Sequence, residues 1–259
     1  MSFFLAMMLA APAAQPAPVV GDAILHYVRS NRDGSEPEHV VQYRPSRQAI
    51  AVYKWVSKCT TSAYVTAEMN PEVSEGQNYV AGKVAPDGSQ ATFGTLTLDE
   101  SAPALIVDIT PPGGRRVEQR HTLPGRPFLL YDFDFADLNA FLQEHPQEVH
   151  FSFKLPVVWP SDAGLFKDLG TLHAVYDGEG KRSGRRVRRF LLSVEGPKTG
   201  MGMLWTDADQ GFIVEAELDH PNHPEYHDFR LKLERVERGG TPAWDALTRS
   251  QYADCPTGN

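Results

Sequence analysis

Between residues 185 and 237, apolar and polar residues alternate with a period of two, and this limits the possible folds more than any other feature of the chain. Phe190, Leu192 and Val194 alternate with Arg189, Ser193 and Glu195. Phe212, Val214, Ala216 and Leu218 alternate with Glu215 and Glu217, and Phe229, Leu231 and Leu233 with Arg230, Lys232 and Glu234. Successive side chains of a strand point to opposite faces, so each run reads as a strand with one buried and one wet face. The links are short and turn-like, which predicts an antiparallel meander. In the central hairpin, Gly211 suits a positive φ. Pairing Thr206 with Gly211 puts Trp205 opposite Phe212, Met203 opposite Val214 and Met201 opposite Ala216, all on one face.

The rest of the chain follows the same grammar. Strands are predicted at 23–29, 38–43, 48–56, 62–69, 78–84, 92–99, 105–110, 116–122, 148–155 and 172–176, with Gly, Pro, Asn and Asp punctuating them. In the third, both Ala49, Ala51, Tyr53, Trp55 and Ile50, Val52, Val56 are apolar, which suits a strand covered on two sides. A helix is expected over 134–144, with Asp134 as cap, Asp137 in the first turn and Phe135, Leu138, Phe141 and Leu142 as its apolar stripe. A last helix starts with Thr241 as cap and Pro242 at its first position. The expected fold is mainly β: one large curved antiparallel sheet, a half-barrel or open barrel, with one or two covering α-helices.

Residues 3–14 form an apolar run too short to span a bilayer, and Ala11-Pro12-Ala13 offers a cleavage site. Residues 1–17 therefore read as signal peptide and linker, and 18–259 as a single β-rich domain. The leader lacks Lys and Arg, which fits a start assigned a few codons late. No cysteine lies near the cleavage point, which argues against a lipid anchor. No other segment reaches the length of a membrane span. A periplasmic or secreted, non-transmembrane protein is expected. In that compartment the two cysteines, Cys59 and Cys255, are expected to form a disulfide rather than remain separate thiols. The net charge of −8 argues against nucleic acid as a partner. The one basic cluster, Lys181-Arg182 with Arg185, Arg186, Arg188 and Arg189, reads as a charged strand edge.

Motifs of known chemistry are sparse. There is no nucleophile elbow and no phosphate loop; Gly178-Glu179-Gly180 reads as a hairpin turn. Asp132, Asp134 and Asp137 alternate with aromatics and contain the elements of an acid–base pair, although capping of the helix is the simpler role. Asp207-Ala208-Asp209 lacks the further oxygen ligands of a calcium loop. The loop from Asp219 to Asp228 carries His220, His223 and His227 beside carboxylates, a ligand set suited to zinc. Its prolines oppose a helix that would align the imidazoles, and an exposed polar loop is the alternative.

Three stretches of the last third, Arg188-Arg189-Phe190-Leu191-Leu192, Gly202-Met203-Leu204-Trp205-Thr206-Asp207 to Gly211-Phe212-Ile213-Val214, and Phe229-Arg230-Leu231, resemble the closing strands of LolA-like bacterial envelope half-barrels and their uncharacterised periplasmic relatives. The resemblance implies a non-enzymatic protein that holds acyl chains or another apolar ligand between a curved sheet and its covering helix, without a cofactor. On that reading the ligand-binding lining is Phe190, Leu192, Met203, Trp205, Phe212, Val214, Phe229 and Leu231. The same residues also suit a solid core. Two other functions stand beside it: a metal-binding protein or metal-dependent hydrolase using His220, His223 and His227, and a structural or partner-binding envelope domain.

Overall fold

The computed structural model describes residues 19–99, 101–110, 114–161 and 164–256; the leader and its cleavage site lie outside the described residues. Among the described residues, fourteen strands run in chain order. The first half comprises β1 (Ala23–Ser30), β2 (Glu38–Tyr43), β3 (Ala49–Trp55), β4 (Ala63–Met69), β5 (Gly76–Val84), β6 (Gln90–Asp99), β7 (Ala104–Ile109) and β8 (Val117–Thr122). The second comprises β9 (His150–Ser161), β10 (Gly164–Arg182), β11 (Arg185–Glu195), β12 (Gly200–Asp207), β13 (Ile213–Leu218) and β14 (Phe229–Arg238). Each half is an antiparallel meander, and the two are joined where β1 pairs with β14, from Ala23 opposite Arg238 to Ser30 opposite Arg230. The result is one open, barrel-like antiparallel sheet whose outermost strands are β8 and β9. These two ends approach each other: the His121 ring of β8 stacks on Phe166 of β10 at 4.5 Å, and its Nε2 lies 3.3 Å from the Asp168 carboxylate.

The segment between β8 and β9 threads the interior. It contains a 3-10 turn (Tyr131–Phe133) and helix α1 (Ala136–Glu144). Phe128, Leu129, Tyr131, Phe133, Phe135, Leu138 and Ala140 on it are all buried in the main apolar core. Asp134 and Phe135 take left-handed backbone angles, with φ of 52° and 55°. Such angles are unfavourable for residues with a Cβ and persist where surrounding contacts impose them. Phe135 is held between the rings of Tyr131 and Phe229, at 5.1 and 5.2 Å. Asp134 is therefore not the helix cap that the spacing predicts: α1 begins after Phe135 without a side-chain cap, because the Asp134 carboxylate is engaged elsewhere, as described below.

Helix α2 (Gly240–Arg249) covers the outer face of β1 to β3, so β3 is buried on both sides. Ile50 and Val52 belong to the inner core, while Ala51 and Tyr53 pack outward in a cluster with Trp244. The helix starts after Gly239 instead of at Thr241, whose hydroxyl pairs with Tyr43. Cys59 and Cys255 form a disulfide that ties the tail after α2 to the turn after β3.

The hairpin register differs from the expected one. Trp205 pairs with Glu215, Met203 with Glu217 and Leu204 with Ala216, and a bulge at Trp205/Thr206 places Thr206 opposite Ile213. Leu204 is therefore inward, Met201 is 58% exposed, and Trp205 lies half-buried beneath the Arg182 guanidinium at 4.3 Å. Phe212 is fully buried in the main core, and Trp205 is only partly buried against it. The inward positions of β12 carry Gly202 and Thr206, so the larger apolar side chains mark the wet face here. The basic hairpin is answered by acids: Arg182 bonds Glu215 at 2.6 Å, Arg185 bonds Asp207 at 3.1 Å and Arg189 bonds Asp177 at 2.6 Å.

Candidate functional site

The main core is solid around the C-terminal meander but not around the N-terminal one. Between the inner faces of β3 to β7 and the threaded segment lies a cavity of about 240 Å³. Val65, Ala81, Phe93, Ile109 and Val158 supply an apolar wall, and Lys54, Asp132 and His223 stand at one side of it. Many of the apolar lining residues are only half-buried, unlike the inward residues of β11 to β14, because the cavity leaves part of their surface uncovered.

The polar side is assembled from three parts of the chain. Arg29 and Lys54 stand near the ends of β1 and β3, in strands whose inward positions are otherwise apolar (Leu25 and Tyr27; Ile50 and Val52). Asp132 and Asp134 come from the threaded segment, and Asn222, His223 and Tyr226 from the loop between β13 and β14. Lys54 Nζ lies 2.5 Å from Asp134 Oδ2 and donates to the Asp132 carbonyl at 2.7 Å. Arg29 Nε is 3.7 Å from Asp134 Oδ1, and its two terminal nitrogens donate to Asn222, Glu38 and the Tyr226 hydroxyl at 2.5–3.0 Å. Asn222 in turn donates to Asp134 Oδ1 at 2.7 Å. A buried charge is tolerable only when paired and hydrogen-bonded, and Asp134 has two cations and an amide around it.

The titration of these groups follows from that arrangement. Burial alone would push the Asp134 carboxyl up, but the Lys54 and Arg29 cations hold it below the usual range. Asp132 has no cation as close to its carboxyl; burial raises it to about 6, although the Val158 N–H donates to it at 3.0 Å. Burial, then repulsion by Lys54 and Arg29, lowers His223 to about 3, so its ring is neutral at ordinary pH. Its Nε2 is buried without a hydrogen-bond partner. Lys54 thus spends its charge on Asp134 and the Asp132 carbonyl, and Asp132 accepts from the backbone; the rest of the cavity wall is mainly apolar, with the unpartnered His223 Nε2 the exception.

A further carboxyl, Asp137, accepts from the N–H groups of Leu130 and Leu138, both at 2.8 Å, and from the Tyr79 hydroxyl at 3.3 Å. Burial raises it to about 7. An acid whose folded pKa lies above its unfolded value of ~3.9 favours folding at low pH, and that contribution is lost as pH rises toward 7. Asp137→Asn is therefore expected to gain stability relative to the unaltered protein between pH 4 and 7, by about 2–4 kcal/mol at ~1.36 kcal/mol per unit. Urea unfolding of both proteins across this range checks it; a constant difference would contradict it.

Of the residues expected to line a ligand site, Phe190, Leu192, Phe212, Val214, Phe229 and Leu231 sit at 0–1% exposure in the solid core, while Met203 and Trp205 face outward. None borders the cavity. The three histidines point to different surroundings. His220 bonds the Lys198 carbonyl at 3.0 Å with its ring against Gly200, His223 borders the cavity, and exposed His227 lies 3.8 Å from Asp228. Among the described residues, no three His, Cys, Asp or Glu side chains are grouped to hold a metal ion. Also among them, no helix is long and apolar enough to cross a membrane.

No protein-family model matches the chain, and no curated protein matches it. Among solved structures, it is similar to a β-barrel-like protein of a domain of unknown function (DUF1849) from Brucella abortus, at 11% identity and a TM-score of 0.44, over 86% of this chain and 100% of that one.

Proposed function

We propose that this is a non-enzymatic binding protein for a small apolar ligand or the apolar part of a larger one, held between the sheet and the segment threaded through it. The observation that carries this reading is the cavity itself: a largely apolar, partly open space of about 240 Å³ between the sheet and the threaded segment. Native interiors leave few voids larger than a water molecule, and apolar clefts are the usual sites of small ligands. At ~30 Å³ per water the volume corresponds to roughly eight water molecules. It lies below the ~300–1,000 Å³ of sites for drug-sized ligands. One short chain or ring fits, and the several acyl chains of a lipoprotein do not. Export through the leader at residues 1–17 is part of the proposal, since the Cys59–Cys255 bridge suits an oxidising compartment.

Calorimetric titration with 1-octanol tests the reading. The protein is expected to bind one equivalent. Ala81→Phe, which places a ring in the cavity from β5, is expected to weaken binding at least tenfold. Equal binding by the variant, or none by either protein, would remove the proposed site.

A further inference from the structure

One side chain on the cavity wall keeps a polar atom without a partner in the protein. Of the buried side-chain nitrogens and oxygens that lack a hydrogen bond among the described residues, only His223 Nε2 belongs to a residue lining the cavity. Native interiors rarely leave such an atom orphaned, because its lost hydration is then uncompensated. The loop around it is pinned, which restricts where the ring can turn for another partner. Asn222 is fully buried, accepts from Arg29 at 3.0 Å and donates to Asp134 at 2.7 Å and to the Tyr131 carbonyl at 3.3 Å. Further along, the Tyr226 hydroxyl accepts from Arg29 at 2.9 Å, and its ring meets the His223 ring edge-on at 6.4 Å.

The charged groups nearby are already matched. Lys54 is paired with Asp134, Arg29 with Asp134 and Glu38, and the Asp132 carboxyl takes the Val158 N–H. A ligand anion would meet those carboxylates without a free cation. A ligand cation would meet Lys54 and Arg29, whose repulsion already disfavours a charge on the His223 ring itself. A charge buried without a counter-ion is costly, so the polar group that fits here is a neutral one. Building on the proposed apolar site, we infer that the ligand is a small neutral alcohol or phenol, with its chain or ring against Val65, Ala81, Phe93 and Ile109 and its hydroxyl hydrogen-bonded to His223 Nε2. A hydroxyl suits either tautomer of the neutral ring, because it donates to a bare nitrogen and accepts from a protonated one.

Calorimetric titration with p-cresol and p-xylene, which differ by a hydroxyl in place of a methyl, tests this. His223→Leu is expected to weaken p-cresol about tenfold, the scale of one buried hydrogen bond, and to leave p-xylene within about twofold of its affinity for the unaltered protein. His223→Gln, which keeps a neutral donor and acceptor, is expected to hold p-cresol more tightly than His223→Leu does. In the unaltered protein, p-cresol is expected to shift the nitrogen resonance of His223 Nε2 while p-xylene leaves it nearly unmoved, a readout that needs no variant. Equal loss of both ligands in His223→Leu, loss of neither, equal resonance shifts, or tighter binding of p-toluate or p-methylbenzylamine than of p-cresol would overturn the neutral hydroxyl at His223 and leave the apolar site standing. Binding of neither p-cresol nor p-xylene would overturn this inference together with the apolar site beneath it.

Discussion

Asp134→Ala is expected to destabilise the protein by about 3–5 kcal/mol, the usual cost of removing one partner from a buried ion pair. The side chains of Lys54 and Arg29 are 7% and 2% exposed, and when the carboxylate is gone Arg29 keeps Glu38 as a partner while Lys54 keeps no carboxylate beside it. Asn222 also loses its acceptor. The loss comes mainly from stranded charge, so a second change reveals it: Lys54→Met in the Asp134→Ala background is expected to restore about half or more, since an apolar side chain of similar length needs no counter-ion. Urea unfolding of the two single variants and the double variant measures the coupling. Additive effects, or an Asp134→Ala cost below about 1 kcal/mol, would show that the cluster is held by its hydrogen bonds alone. The left-handed backbone at Asp134 gives a second readout, because alanine tolerates that conformation less well than aspartate.

Loss of the Cys59–Cys255 bridge is the other large expected effect. The cysteines are 196 residues apart in sequence, and the chain-entropy model assigns such a loop on the order of 5 kcal/mol. Local contacts also hold the tail: Gln251 accepts from the Tyr53 hydroxyl at 2.5 Å and donates to the Ser57 and Thr60 carbonyls at 3.2 and 2.9 Å. The native state should therefore survive reduction with its architecture intact, and the effect should fall mainly on the unfolded chain. Cys59→Ser/Cys255→Ser is expected to lose about 2–5 kcal/mol, or roughly 4–20 °C in Tm at ~2–4 °C per kcal/mol for a domain of this size. Calorimetry of the double variant, and of the unaltered protein with and without reductant, checks it. An unchanged Tm in both would show that the tail contributes nothing to global stability.

The sheet was legible in the sequence wherever inward positions carried large apolar residues and outward ones did not. Phe190, Leu192 and Val194 in β11, and Phe229 and Leu231 in β14, are buried as their spacing predicts. The pattern failed at β12, where Gly202 and Thr206 face in and Met203 and Trp205 face out. Parity reports the buried face only when volume and polarity agree, and a bulge hides the register from any count of residues. The cavity was less legible because it is a deficit of volume: nothing in Val65, Ala81 or Ile109 distinguishes a wall from a packed core. The charged cluster did leave a trace. Lys54 follows Ile50 and Val52 on the apolar face of its strand, a position where a lysine requires a buried partner. That partner, Asp134, resembled a helix cap by spacing and was placed elsewhere by its φ.

The pairing of β1 with β14 has a consequence for synthesis. A ribosome delivers the first strand well before the last, and until β14 emerges one side of β1 presents unmatched amide and carbonyl groups. Each meander can zip from neighbouring hairpins, whereas joining them requires contact between the two ends of the polypeptide, the slowest kind of closure. A truncated chain lacking β14 would therefore keep a sticky margin at its centre instead of at its rim, which makes premature termination a route to aggregation.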